Sequence, residues 1–322
     1  MFEAASSNRI SAVHRESFVS GSLTNPIAGA SSVNEGAAGW RSLPRRVLGG
    51  RYGLLSPVRA MLSNRVLVFR LAKREIAARY QGSALGALWL VISPLLQLLI
   101  YTFVFSIVFR AKWDLAMPEE EQGRLVFAVV FFSGLIVYNI FAECVNRGPR
   151  LILENPNYVK RLVFPLEIMP WVSCVSALFN FLIGLCLLLV IYVIEFGVPP
   201  VTAIAAPLPL LPFVLMTIGI AYWLAATGVY LRDLGQVVGL VTMLMMFVTP
   251  IFYSVDQVPE SFRVFIEINP ISSVLGQVRG CLFGEAWPSV VWLVSATAIG
   301  WAVMYAGYAW FEKTRKGFAD VV

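Results

Sequence analysis

Six stretches of this chain, 80–109, 125–142, 168–194, 196–231, 234–255 and 286–311, contain no Asp, Glu, Lys or Arg. An α-helix rises 1.5 Å per residue and the hydrocarbon core of a bilayer is about 30 Å thick, so roughly 20 apolar residues complete a crossing. Each window can therefore hold one span. The longest, 196–231, could hold more, but Gly197, Pro199, Pro200, Pro207, Pro209 and Pro212 fall in its first half, so its first third reads as an extramembrane loop ahead of a single helix. With 58% hydrophobic and 14% charged residues, the chain has too little charge for a soluble domain of its size. Ten-residue segments of alternating polarity, which a membrane barrel would need, are absent. The fold class expected is an all-α membrane protein with six transmembrane helices.

An even number of spans puts both termini on one side, and positive charge decides which. If that side is the cytoplasm, 20 of the 25 Lys and Arg residues fall on it, the five others being Arg110, Lys112, Arg124, Arg263 and Arg279. Those five share their loops with nine acids, among them Glu119, Glu120 and Glu121. Both termini are expected inside, at the inner (plasma) membrane. The basic balance then reflects orientation and anionic headgroups, with no nucleic-acid partner implied. Residues 1–60, dominated by Ser, Gly, Ala, Asn and Arg, read as a disordered cytoplasmic tail, and 316–322 as a short cytoplasmic C-terminal tail. The domain between them is 61–315.

Three segments are neither span nor simple loop. Residues 64–80 carry Phe69, Ala72, Ile76 and Tyr80 at helical spacing with Arg70 and Arg74 turned away, which fits an amphipathic helix lying in the inner interface or a basic anchor that fixes topology. In 147–165, Asn155-Pro156 interrupts a helical run; a short helix standing off the membrane and a solvated loop both fit. The loop 254–285 carries Phe262, Phe265, Ile266, Ile268, Ile271 and Leu275, too apolar for free solvation, and suits helices re-entering the outer leaflet. Within the first span Ser93, Gln97, Tyr101 and Phe105 recur every four residues. Thr242, Met246, Thr249 and Tyr253 form a like stripe in the fifth at spacings of four, three and four, and there Gly235 and Gly239 suggest close packing. Such stripes face either another helix or a conduit.

Several chemistries are missing from the sequence. The only histidine, His14, lies in the tail, so no histidine serves acid–base catalysis in the membrane domain. No phosphate loop, paired metal-diphosphate carboxylates, zinc-protease helix or nucleophile elbow occurs. The windows lack the ionisable residues that ion-coupled transporters place at mid-membrane, Glu143 lying only at the edge of one. The four cysteines form no metal-ligand or disulfide pattern. A machine that conducts but has neither an ion-coupling site nor an ATP site must draw its energy from a partner. A membrane-embedded enzyme of glycan assembly and an ion-driven transporter are the competing classes.

The stretch LAKREIAARYQGSALGALWLVISPLLQ (71–97), the run ENPNYVKRLVFPLEIMP (154–170), YLRDL (230–234), TPIFYS with the nearby Val258-Pro259-Glu260, and Asn269-Pro270 followed by Arg279 occur in one order. Together they resemble the permease subunits of ABC-2 type exporters of O-antigen, capsule or teichoic-acid polysaccharides. The resemblance, which covers about 65–315, implies a homodimer of six-span subunits, each paired with a separate cytoplasmic ATPase that binds ATP and Mg, so that this chain binds no cofactor and is not itself an enzyme. It implies that 64–80 is the interface helix and that 254–285 holds outer re-entrant helices. A coupling helix would carry Arg150, Glu154, Asn155, Pro156, Tyr158, Lys160 and Arg161. Sugars stack on rings and bond through hydroxyls, so a glycan conduit would draw on Ser93, Gln97, Tyr101, Phe105, Thr249 and Tyr253. Arg74 and Arg79 would meet the diphosphate of a lipid-linked polysaccharide or the headgroups of membrane lipids. Capsule polymer, teichoic acid or a small amphiphile would suit the same architecture.

Overall fold

All six uncharged windows are helical in the computed structural model of the chain, which describes residues 53–109, 124–159 and 164–321. Two helices precede them, α1 (Ser56–Ser63) and α2 (Arg65–Tyr80). The first window holds α3 (Trp89–Tyr101), entered through a 3-10 turn and continued by a π-helical turn over Thr102–Val108. Next come α4 (Arg124–Arg147), the one-turn α5 (Pro156–Val159), α6 (Met169–Phe196), α7 (Leu210–Gly228) and α8 (Leu234–Val248). The chain closes with α9 (Glu260–Ile268), α10 (Pro270–Leu282), α11 (Val290–Thr314) and the short α12 (Phe318–Val321). His14, Arg110, Lys112, the acids 119–121 and the coupling residues Lys160 and Arg161 lie outside the described residues.

Five segments are long and apolar enough to cross a bilayer: Gly86–Val108, Leu125–Arg150, Leu166–Phe196, Val201–Gly228 and Val290–Val321. The sixth window behaves differently. Its helix α8 has only 15 residues, a rise of about 22 Å, because Thr249 turns extended and Pro250 follows. The start of window 196–231 is irregular, as its prolines require: α6 stops at Gly197, whose φ of 77° suits glycine, and α7 begins only at Leu210.

The hub is α4, whose apolar stretch is 83% buried, against 6% for that of α3. Phe131, Phe132, Val137 and Ile140 of α4 are enclosed by neighbouring helices. The closest helix pair is α7 and α11, where small residues let backbones touch: a Cβ at Gly307 would stand 2.0 Å from the Gly219 carbonyl oxygen, and one at Gly300 2.5 Å from that of Pro212. Gly235 and Gly239 do not have this role. A Cβ at Gly239 meets nothing within 4 Å, and one at Gly235 meets only the Arg150 guanidinium at 3.4 Å.

The packed face of α2 keeps most of the expected stripe, with Ala72 buried and Ile76 and Tyr80 half-buried. Val68 and Ala72 are buried against Ile168 and Val172, at the start of α6, whereas Phe69 is exposed. Leu54, Leu55, Leu62, Val66 and Phe69 stay open to the surroundings beside Arg59, Arg65, Arg70 and Lys73. Exposed apolar groups with interleaved cations suit a headgroup region. The segment 254–285 is a pair of helices, α9 and α10, broken at Asn269, whose side chain accepts from the Ile271 N–H.

Candidate functional site

Arg147, Arg150, Arg232, Lys313 and Arg315 collect at one end of the bundle, formed by the ends of α4, α7 and α11 and the starts of α6 and α8. A cavity of about 1010 Å³ opens there between α2, α3, α4 and α6. It gathers residues that the sequence assigned to three different tasks. Ser93 and Gln97 of the first-span stripe line it, as do Arg74 and Arg79 of α2 and Arg150, Glu154, Asn155 and Tyr158 of the coupling region.

An ionic chain ties α2 to the end of α4 across the cavity. Arg79 contacts Glu143 and also reaches Glu75 at 3.2 Å, and Glu75 in turn meets Arg147. Asn180 of α6 donates to the second Glu143 oxygen at 2.8 Å. Glu143 is thus the meeting point of three helices. Arg74 donates instead to the Tyr158 hydroxyl and lies 5.9 Å from that ring, which stacks on Phe164 at 4.2 Å. Residues 150–159 are joined to α2 by this contact, while Asn155 donates back to the Leu151 carbonyl at 3.0 Å and Pro156 opens α5. A second ionic group, Arg315 with Glu167 at 2.7 Å and Glu312 at 3.2 Å, fastens α11 to the start of α6.

The upper half of the first-span stripe has other company. Tyr101 and Phe105 join a ring cluster with Phe131 of α4 and Phe252 of the turn after α8, the Phe105–Phe252 pair stacking at 4.6 Å. Thr249 and Tyr253 sit at that turn. The Thr249 hydroxyl donates to Met245 O and accepts from Asn269 Nδ2 at 2.9 Å, and the Tyr253 hydroxyl donates to Phe247 O at 2.9 Å. Arg279 of α10 donates to Pro250 O at 2.7 Å and to Val130 O at 3.1 Å, pinning the α9–α10 pair to the turn and to α4. Thr242 lies at the α4–α8 contact, with its hydroxyl 2.8 Å from Asn146 Oδ1 and its carbonyl accepting from Tyr138.

Charge-free windows did not reveal Asn139, Asn146 and Asn180, three amides inside apolar helices that line the cavity beside Trp89 and Phe132. Counting uncharged polar groups within the windows would have found Asn139 and Asn180. Among the described residues no group of His, Cys, Asp and Glu could hold a metal ion, and all four cysteines are free.

Residues 66–283, about two thirds of the chain, match the ABC-2 type transporter family. The chain belongs to that family. It is similar to the O-antigen export system permease protein RfbA of Myxococcus xanthus, 28% identical over 267 residues, which are 82% of this chain and 98% of that protein. Two Klebsiella pneumoniae proteins of the same name are 27% and 26% identical over 258 residues, 80% of this chain and 95% of each. This ABC-2 chain is therefore a multi-pass membrane protein of the transporter class, as its apolar helices require.

Proposed function

We propose that this chain is the membrane-spanning subunit of an ABC exporter that carries a lipid-linked, O-antigen-like polysaccharide across the inner membrane. The reading is carried by near full-length similarity to three O-antigen export permeases, each covered to 95% or more. ATP and Mg bind a separate ATPase subunit, consistent with the lack of a phosphate loop in the sequence. Both termini lie inside, the basic end facing the cytoplasm.

A sixth crossing by the α8 segment is supported by its contacts. Gly235 lies beside Arg150 at one end of α4, and Pro250 is joined through Arg279 to Val130 near the other. Val130 and Arg150 stand twenty residues apart along α4 and the 3-10 turn after it, about 30 Å, and α8, with its rise of about 22 Å, is tied to both levels through the long Arg150 and Arg279 side chains. The α9–α10 pair then serves as the re-entrant outer element.

Residues 150–161 dock in a groove of the ATPase. The sparsely buried α3 and α8, with Tyr101 and Phe105 of the α3 segment against Phe252 of the turn after α8, form the seam with a second copy of the chain. A glycan passes along that seam past Ser93, Gln97, Tyr101, Phe105, Thr249 and Tyr253, which offer rings and neutral polar groups. Arg74 is the exposed cation for the lipid diphosphate; Arg79 joins it only by leaving Glu143.

Two measurements test this. The chain, tagged at its C-terminus, is expected to bring down an ATPase subunit, and cells deleted for the chain should hold unexported polysaccharide inside. Tyr158→Ala is expected to lower export while the chain still reaches the membrane. Export that persists when ATP is depleted would overturn the reading.

A further inference from the structure

The cavity at the basic end extends farther into the bundle than its ionic contacts require. Asn139 stands two helical turns beyond Arg147 on α4, a rise of about 12 Å, and is the only exposed residue between Val126 and Phe141. Gln97 of α3 is exposed into the same space, and Asn180 of α6 borders it. Among the described residues neither Asn139 nor Gln97 has a hydrogen-bond partner within the protein. Rings of Trp89, Phe132 and Phe181 complete the wall.

Amides held open at this depth bond to water or to a polar occupant that displaces it, and a hydrocarbon chain has nothing to offer them. Arg79 and Arg147 pair with Glu75 and Glu143, which leaves Arg74 and Arg150 as the cavity's cations without a carboxylate partner among the described residues, both exposed. Arg150 lies eleven residues along the chain from Asn139, so an anionic group is answered at the basic end and not beside the amides. Neutral hydroxyls find unspent amide donors and acceptors, with ring faces for the C–H side of a pyranose. The volume, about 1010 Å³, lies at the top of the range of roughly 300–1,000 Å³ for small-molecule sites, enough for more than one sugar ring.

We propose that this cavity, contained within one protomer and bordering the seam at Ser93 and Gln97, is a carbohydrate site that holds the sugars nearest the lipid anchor before they move along the conduit. The proposal rests on the export reading above and adds where the glycan is first held. Gln97 and Asn139 bond its hydroxyls, and Trp89 and Phe181 bracket its rings.

The test uses the full chain with its ATPase in inside-out membrane vesicles. Asn139→Cys in a Cys186→Ser background, the three other cysteines being buried, is labelled with a charged, bilayer-impermeant maleimide. Vesicles come from cells that make the lipid-linked glycan and from cells lacking its initiating glycosyltransferase, which hold the lipid carrier alone. With ATP withheld, labelling should be about fivefold slower in glycan-bearing vesicles, the slowing expected at four-fifths occupancy, while a Lys316→Cys control labels equally in both. Equal rates at position 139 in the two preparations, whether both fast or both slow, would overturn the site, the slow case indicating a lipid occupant. Asn139→Leu and Gln97→Leu should lower export at normal membrane level; wild-type export by the double variant would also overturn it. Surface polysaccharide from the Cys186→Ser parent separates the two claims: export without protection removes this site alone, and no export removes the export reading too.

Discussion

Glu143 shows how a single residue acquires meaning from its neighbours. At the edge of an apolar window it looked like an interface residue, yet it takes Arg79 from α2 and Asn180 from α6. Ion pairs at a surface are worth little, but these charged side chains are one third exposed or less, and Glu75, Arg79 and Glu143 are each held by two partners. Arg79→Ala and Glu143→Gln are each expected to lower thermal stability in detergent. The double variant should cost less than the sum of the two by about 0.5–3 kcal/mol, as for residues in direct contact. Strict additivity would mean that the pair contributes nothing. The sequence shows the cations of α2 but not what they face, because Glu143 and Tyr158 lie far along the chain on other segments. Charge alone suits Arg79 to a lipid diphosphate or to headgroups, and the amides at 139 and 180 escape a search for charge.

At the scale of elements, apolar windows located every long helix, since length and hydropathy are local properties of the chain. Close packing is not local. Gly235 and Gly239 have the small-residue spacing of a helix contact and make none within the protomer, whereas Gly219, Gly300 and Gly307, far apart in sequence, bring α7 and α11 together. Gly307→Ala would drive a methyl into the Gly219 carbonyl and should cost about 1–3 kcal/mol by forcing the helices apart. Gly239→Ala, with nothing within 4 Å, should change the melting temperature of the detergent-solubilised protein hardly at all. Equal losses from the two changes would contradict this packing. The short α8 belongs to the same lesson: Pro250 could be seen to end a helix, but only the Arg279 bonds to Pro250 and Val130 show how the chain covers the remaining depth.

Across the whole molecule these contacts divide the bundle into a tightly joined part and a loosely joined one. The turn Gly148–Arg150 is wedged against the end of α7, where a Cβ at Gly228 would lie 2.2 Å from the Pro149 carbonyl oxygen. From there the close α7–α11 contact and the Arg315 ion pairs bind α11 to α6. A push on residues 150–159 therefore reaches α4, α7 and α11 as one body. By contrast α3 is 6% buried, carries Pro94 within its helix and a π-helical turn above it, and meets its neighbours through ring contacts and the walls of an open cavity. Relative sliding should concentrate where the backbone ladder is already interrupted and few side chains interlock. In the complex with its ATPase, a non-hydrolysable ATP analogue is expected to alter amide hydrogen exchange in α3 and α8 and to leave the paired faces of α7 and α11 protected. A larger change in α7–α11 than in α3 would show that the conduit opens inside the tightly packed part, and the seam would then have to be placed elsewhere.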